Sequence, residues 1–253
     1  MQQHWFYTFW PFIGLGAMIP VVAILLTTDT FRGNTAVSRW RDVVWLAWLA
    51  TPLYLAHQFE EYSLPVLDFD YSIQGMICKN LGFPPYPDCP IPLSFYPLVN
   101  IALMWFGAPL AAYLGRRNVL IGLSFWGLIF ANGLLHTAGG ILQGGYNTGL
   151  WSSVFLFIPL SIWVIYACAI RGPYSGKVVG VAFGAGALTH VLLFIGYGFF
   201  KNGVIGSAGL LVYAVVIGFT PIILAALGSR FFKPALLTPR PASSPPSSAP
   251  TVH

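Results

Sequence analysis

The chain has 253 residues, 57% of them hydrophobic and 8% charged, with a mean hydropathy of +0.73. That balance excludes an ordinary soluble globular domain. The formal net charge of +5 is scattered singly over short loops, which argues against nucleic acid as a partner.

Apolar runs of about 20 residues recur, each long enough to cross roughly 30 Å of hydrocarbon. We read seven, at roughly 7–27, 43–61, 95–115, 119–142, 150–170, 178–200 and 203–228. Each is predicted to be a helix, because a single apolar segment in lipid must satisfy its own backbone hydrogen bonds. The expected fold is therefore all-α, a polytopic membrane domain over residues 1–232. The opening MQQHWFYTFWPF has neither a charged start nor a small-residue cleavage site, so no cleavable signal peptide is expected. Pro11, Pro20, Pro52, Pro109, Pro159 and Pro221 fall inside the runs and mark expected kinks.

Orientation follows from the basic residues. Arg32, Arg39, Arg41, Arg116, Arg117, Arg171, Lys177, Arg230, Lys233 and Arg240 all fall on one side of the seven runs, and only Lys79 and Lys201 on the other. The N-terminus is expected outside and the C-terminus in the cytoplasm, as in a bacterial inner membrane. The outer segment 62–93 contains DFDYS and CKNLGFPPYPDCPIP and is read as a lid. Its Cys78 and Cys89 stand on the oxidising side, where they are expected to pair as a disulfide that closes the lid, two free thiols being the alternative. Asp68 and Asp70 are read as solvated, and Cys168 as a packing residue. The Pro/Ser-rich tail, 233–253, is expected to be disordered.

The two glutamates of the whole chain, Glu60 and Glu61, stand together in HQFEE, residues 57–61. On a helix His57, Glu60 and Glu61 are spaced i, i+3 and i+4 and project from one face. Ionisable groups inside a span are costly and turn to the bundle interior or a wet cavity. Two adjacent carboxylates there cannot easily both ionise without a cation or a proton between them. His136 in NGLLH and His190 in GALTHVLLF lie at matching depth. At 1.5 Å per residue, His57, His136 and His190 are roughly 21, 27 and 19 Å from the inner ends of their spans. His4 is also on the outer side, and His253 in the tail is excluded. Asn132, one turn before His136, can hold an imidazole tautomer or bind a substrate carbonyl. Asn100 is a further candidate, although an interhelical hydrogen bond explains it as well.

The HQFEEY stretch resembles the defining motif of the HXXEE family of integral membrane proteins. NGLLH followed by GGYNTGLWSSVFLFIPL is similar to that family's second block, an Asn-x-x-x-His followed by a tyrosine, here Tyr146, then Gly-Leu and an apolar helix. Thr148 stands where the family usually has a proline, which leaves the local turn in question. The likeness covers roughly residues 43–200. It implies no defined activity; it does imply suspected metal-binding roles for His57, Glu60, Glu61 and His136, and His190 joins them by depth alone.

Several functions are open to such a cluster. The first is a metal-dependent enzyme in which His57, Glu60, Glu61, His136 and His190 hold a divalent ion, Zn²⁺ foremost, with Fe²⁺ or Mn²⁺ as alternatives. One glutamate then ligates and the other acts as general base, while Asn132, Asn100 and Tyr146 contact the substrate. The substrate, arriving from the bilayer, is a lipid or an isoprenoid. The second is a metal-free isomerase or cyclase with Trp105, Trp126 and Tyr197 facing a carbocation. A proton- or ion-coupled transporter, an accessory subunit of a membrane complex and a purely structural polar network complete the set. The last span, 203–228, has no lysine, which excludes a retinal Schiff base. The sequence leaves the oligomeric state open.

Overall fold

The computed structural model describes residues 5–63 and 72–237. Asp68, Asp70, His4, His253 and the segment 238–253 lie outside the described residues. Within them every regular element is a helix. In chain order these are α1 (Trp5–Thr27), α2 (Val43–Tyr62), α3 (Ile73–Asn80), α4 (Phe95–Gly115), α5 (Val119–Gln143), α6 (Leu150–Ile170), α7 (Gly176–Lys201) and α8 (Ser207–Ser229).

Six of the eight, α1 and α4 to α8, are long and apolar enough to cross a membrane. The other long helix, α2, has 20 residues but ends in HQFEEY, which lowers its hydropathy. Its start is set by Asp42, whose Oδ1 accepts from the N–H groups of Val44 (3.0 Å) and Trp45 (3.3 Å). The other carboxylate oxygen accepts from Gly33 and Asn34, tying the preceding loop to the same cap. Most of α2 is buried, polar end included, so it runs through the middle of the bundle and not along its rim.

The seven long helices alternate in direction. Trp45 Nε1 donates to Leu25 O and Trp10 lies against Tyr62, which makes α1 and α2 antiparallel. Along α5, Trp126 Nε1 donates to Leu46 O, Asn132 Nδ2 to Tyr54 Oη, and His136 meets Glu61, so α2 and α5 run parallel. Ser152 meets Glu60 while Trp163 Nε1 donates to Trp40 O, which sets α6 antiparallel to α2. Tyr213 Oη donates to Leu192 O and Thr220 meets Thr189, so α8 runs against α7.

The expected proline kinks take a particular form in α4 and α6. Wide π-helical turns span Ile101–Gly107 and Ser153–Phe157, directly ahead of Pro109 and Pro159. A proline ring collides with the carbonyl four residues earlier, and an expanded turn relieves that collision. Cys78 on α3 and Cys89 form a disulfide, which fixes α3 to the segment leading into α4. Cys168 is a buried free thiol.

α5 and α7 approach each other closely. A Cβ added at Gly127 would lie 2.0 Å from Phe183 O, and one at Gly186 1.9 Å from Ser124 O. Backbone meets backbone there, so only glycine fits. Gly186→Ala is expected to destabilise the protein by about 1–3 kcal/mol, the usual range for overpacking. Gly180→Ala, with nothing within 4 Å of the added carbon, should be neutral or slightly stabilising. Thermal unfolding of the two variants in one detergent checks the contrast.

Candidate metal centre and adjoining cavity

His57 and Glu61, one turn apart on α2, face His136 on α5. His57 Nε2 lies 3.5 Å from Glu61 Oε2, and His136 Nε2 lies 3.3 Å from Glu61 Oε1. One potential ligand atom from each of the three falls within 4.8 Å of the others, and all three residues are buried. The two imidazoles stand edge to face, 4.9 Å between centroids, and Phe157 covers His57 at 4.5 Å.

The other ring nitrogens settle where the protons sit. Ser152 Oγ has a single hydrogen, and its acceptors are Glu60 Oε2 at 2.5 Å and Gly149 O at 3.3 Å. With that hydrogen committed, Ser152 Oγ accepts from His57 Nδ1–H at 2.7 Å. His136 follows the same logic. Asn147 Nδ2 donates to His136 O at 2.8 Å, which turns Asn147 Oδ1 toward His136 Nδ1 at 3.3 Å, so that Nδ1 carries the hydrogen. In neutral imidazoles both Nε2 atoms are then lone pairs aimed at the same carboxylate. His57 Nε2 has no hydrogen-bond partner among the described residues.

Two lone pairs facing an anion in a buried site repel unless something positive lies between them. The donor set, two neutral imidazoles and a carboxylate, suits Zn²⁺, and Fe²⁺ or Mn²⁺ after it. Donors about 2.0–2.1 Å from a tetrahedral ion stand about 3.3–3.4 Å apart; the separations found run to the two different oxygens of Glu61, and one donor from each residue lies within 4.8 Å of the others, so a bound ion would draw the three slightly inward. The residues therefore fit a divalent cation, and each imidazole has the outer hydrogen-bond partner that metal-binding histidines use.

The two glutamates have different surroundings. Glu60 faces the start of α6, where Oε1 accepts from Trp151 N–H (2.9 Å) and Tyr146 Oη (3.1 Å), and Oε2 from Ser152 N–H (2.7 Å) and its hydroxyl. It supplies the negative charge that a helix N-terminus favours. Burial and the neighbouring Glu60 carboxylate push the Tyr146 phenol upward, so it stays protonated as the donor. Glu60, expected to share the metal cluster, turns instead to the start of α6: residues adjacent on a helix diverge by about 100°, and its oxygens accept from Tyr146, Trp151 and Ser152.

His190 is also outside the trio. It lines a cavity of about 300 Å³ beside it, together with Glu61, His136, Asn100 and Asn132. Asn132 Nδ2 is 3.4 Å from His190 Nε2. Asn100 donates to Tyr62 Oη and Tyr96 O and accepts from Gln58, an interhelical link at the cavity wall. Tyr197 lines the cavity; Trp105 and Trp126 do not, their indole N–H groups donating to Gln58 and to Leu46 O. Met76 and Ile77 of α3 also line it, which places the disulfide-tied helix at its edge.

Sequence reasoning missed Ser152 and Asn147. Their signal was position: Asn147 follows a Gly-Gly-Tyr turn and Ser152 begins an apolar helix, where hydroxyls and amides cap backbones. Gly149 between them has φ +90°. A Cβ there would stand 2.7 Å from His57 Cε1 and 2.8 Å from His136 Cε1. Gly149→Ala should therefore lose more than the roughly 1–2 kcal/mol of a left-handed non-glycine residue. Gly144→Ala, also at positive φ but with no atom within 4 Å, should lose only that. Comparison of their melting temperatures tests the contact.

Residues 48–164 match the model of the HXXEE family, described as a protein of unknown function with HXXEE motif. The match takes in the trio, Glu60, Asn147 and Ser152. No curated protein and no solved structure matches the chain.

Proposed function

With residues 48–164 belonging to the HXXEE family, we propose that the protein is a metal-dependent integral membrane enzyme acting on a lipid or isoprenoid. The observation that carries this reading is the convergence of His57 Nε2 and His136 Nε2 on the Glu61 carboxylate. His57, Glu61 and His136 would hold the ion. Three protein ligands leave a position open, the pattern of catalytic zinc sites, whereas structural sites are closed by four. Glu61 and His136 line the cavity, so the open position faces it. A bound ion there supplies Lewis acidity toward a substrate oxygen. Ser152 and Asn147 hold the imidazoles in the ligating tautomer, and Glu60 is a positioning residue that fixes Ser152. A metal-free acid–base site is the weaker reading, because one proton on one imidazole relieves only one of the two Nε2–carboxylate contacts.

All seven long helices cross the membrane in this reading, α2 included, with the N-terminus outside and the C-terminus in the cytoplasm. The alternation of the helices supports it, as does the gathering of Arg32, Arg39, Arg116 and Lys233 at the end opposite the trio. A bacterial inner membrane is the proposed location.

Elemental analysis of protein purified in mild detergent, without a His-tag or added metal, is expected to find about one divalent ion per chain. His136→Ala should lose it and still elute as a single species, and Ser152→Ala should weaken binding by about 10–100-fold. Wild-type protein with no divalent ion, and none taken up on titration, would sink the reading. In cells, a cysteine placed at Arg116 or Arg117 should be shielded from a membrane-impermeant thiol reagent added outside. Labelling there would invert the topology.

A further inference from the structure

The cavity contains a second pair of polar side chains that the cation does not use. Asn132 of α5 and His190 of α7 meet across the gap between their helices, and Asn132 Nδ2 also lies 3.4 Å from Tyr54 Oη. Asn132 Oδ1 and His190 Nδ1 are buried and have no hydrogen-bond partner among the described residues. Asn132 is only 7% exposed. Buried polar atoms left unpaired are costly, and each calls for an explanation.

Their hydrogen count narrows what could satisfy them. When Asn132 N–H donates to His190 Nε2, that nitrogen is the lone pair and Nδ1 carries the hydrogen. Both residues line the cavity, and the pair is then left with one unmet acceptor, Asn132 Oδ1, and one unmet donor, His190 Nδ1–H. With the amide turned over the roles exchange: the Asn132 NH2 is the donor, with two hydrogens, and His190 Nδ1 the acceptor. A carboxylate offers acceptors alone and an ammonium donors alone. A hydroxyl offers one of each.

The cavity has an apolar side toward α7, apart from the end where Asn80 and Gln143 line it. α5 and α7 touch at Gly127 and Gly186, and a little over one turn further on they are bridged by the Asn132 and His190 side chains. Beyond that bridge the cavity is walled by Leu135, 44% exposed, and Phe194, 56% exposed, on the outer surface of the bundle. Leu128 and Ile217 line its apolar part. A molecule that enters here comes from lipid and carries an apolar chain.

We propose that the cavity binds a single-chain alcohol, a fatty or prenyl chain ending in a hydroxyl, which enters between α5 and α7 and hydrogen-bonds through that hydroxyl to Asn132 and His190. The proposal deepens the lipid reading above and rests on it for the direction of entry; the hydroxyl pair itself is separate from the metal trio.

The test uses the full chain in lipid nanodiscs and a photoactivatable, diazirine-bearing dodecanol, with its methyl ether as comparison. The ether accepts a hydrogen bond but cannot donate one. Mass spectrometry is expected to find label near Leu135 and Phe194 about tenfold or more stronger for the alcohol, the scale of one unmet buried polar group. Asn132→Leu and His190→Leu should each erase that preference. Leu135→Trp, at an exposed position that leaves the core intact, should lower labelling by both probes. Equal labelling of wild-type protein by alcohol and ether would overturn the proposal, as would a preference that survives both leucine variants. The two readings fail separately: wild-type protein that selects the alcohol but binds no metal overturns only the metal, and metal-loaded protein indifferent to the hydroxyl overturns only this site.

Discussion

A carboxylate enclosed by apolar helices has to be met by hydrogen-bond donors or positive charge, and the arrangement around HQFEE follows from that requirement. Glu60 is satisfied by protein alone: two backbone N–H groups, a serine hydroxyl and a tyrosine hydroxyl surround it. Glu61 is not. The groups against it are two imidazole nitrogens whose hydrogens lie on the far side of each ring. One acid is complete, and its neighbour is the one that the proposed cation would meet. The complete one builds the frame for the other, since Glu60 holds Ser152 and Ser152 turns His57.

The frame depends on helices that approach at very different distances. α5 and α7 are drawn together by glycines at one level and held apart by side chains at the next, which opens the cavity where the histidines are. α6 reaches the site only by its first turn, where Gly149 lets the chain pass close to both imidazole rings. A bulkier backbone at either place would displace the imidazoles without altering a single ligand.

Much of this was legible in the sequence, for identifiable reasons. Composition gave the helical class, and the depth comparison found His136, because α2 and α5 run parallel and in contact. His190 lay at the right depth but on a third helix, and depth carries no information about lateral distance, so it reached the cavity and not the trio. Helical spacing overstated the likeness of Glu60 and Glu61, since i+3 and i+4 share a face only broadly. Trp126 was misplaced as a wall of the site: it precedes His136 by ten residues, about 15 Å along the helix, and packs against Leu46 instead. Ser152 and Asn147 were passed over because short polar residues at helix starts ordinarily cap backbones, and here they also orient side chains of other helices.

The polar end of α2 bears on how the chain enters the bilayer. On emerging from the ribosome, α2 brings a histidine, a glutamine and two glutamates before any of their partners on α5 and α6 has been made. Charged groups at depth disfavour a lone helix in lipid, so α2 by itself is a poor membrane segment. It becomes a good one once Val119–Gln143 delivers His136 and Leu150 begins the helix that neutralises Glu60. On the seven-span reading proposed above, retention of the second helix would wait for the fifth long helix of the chain, and the residues that make the site would also decide when the protein becomes stably embedded.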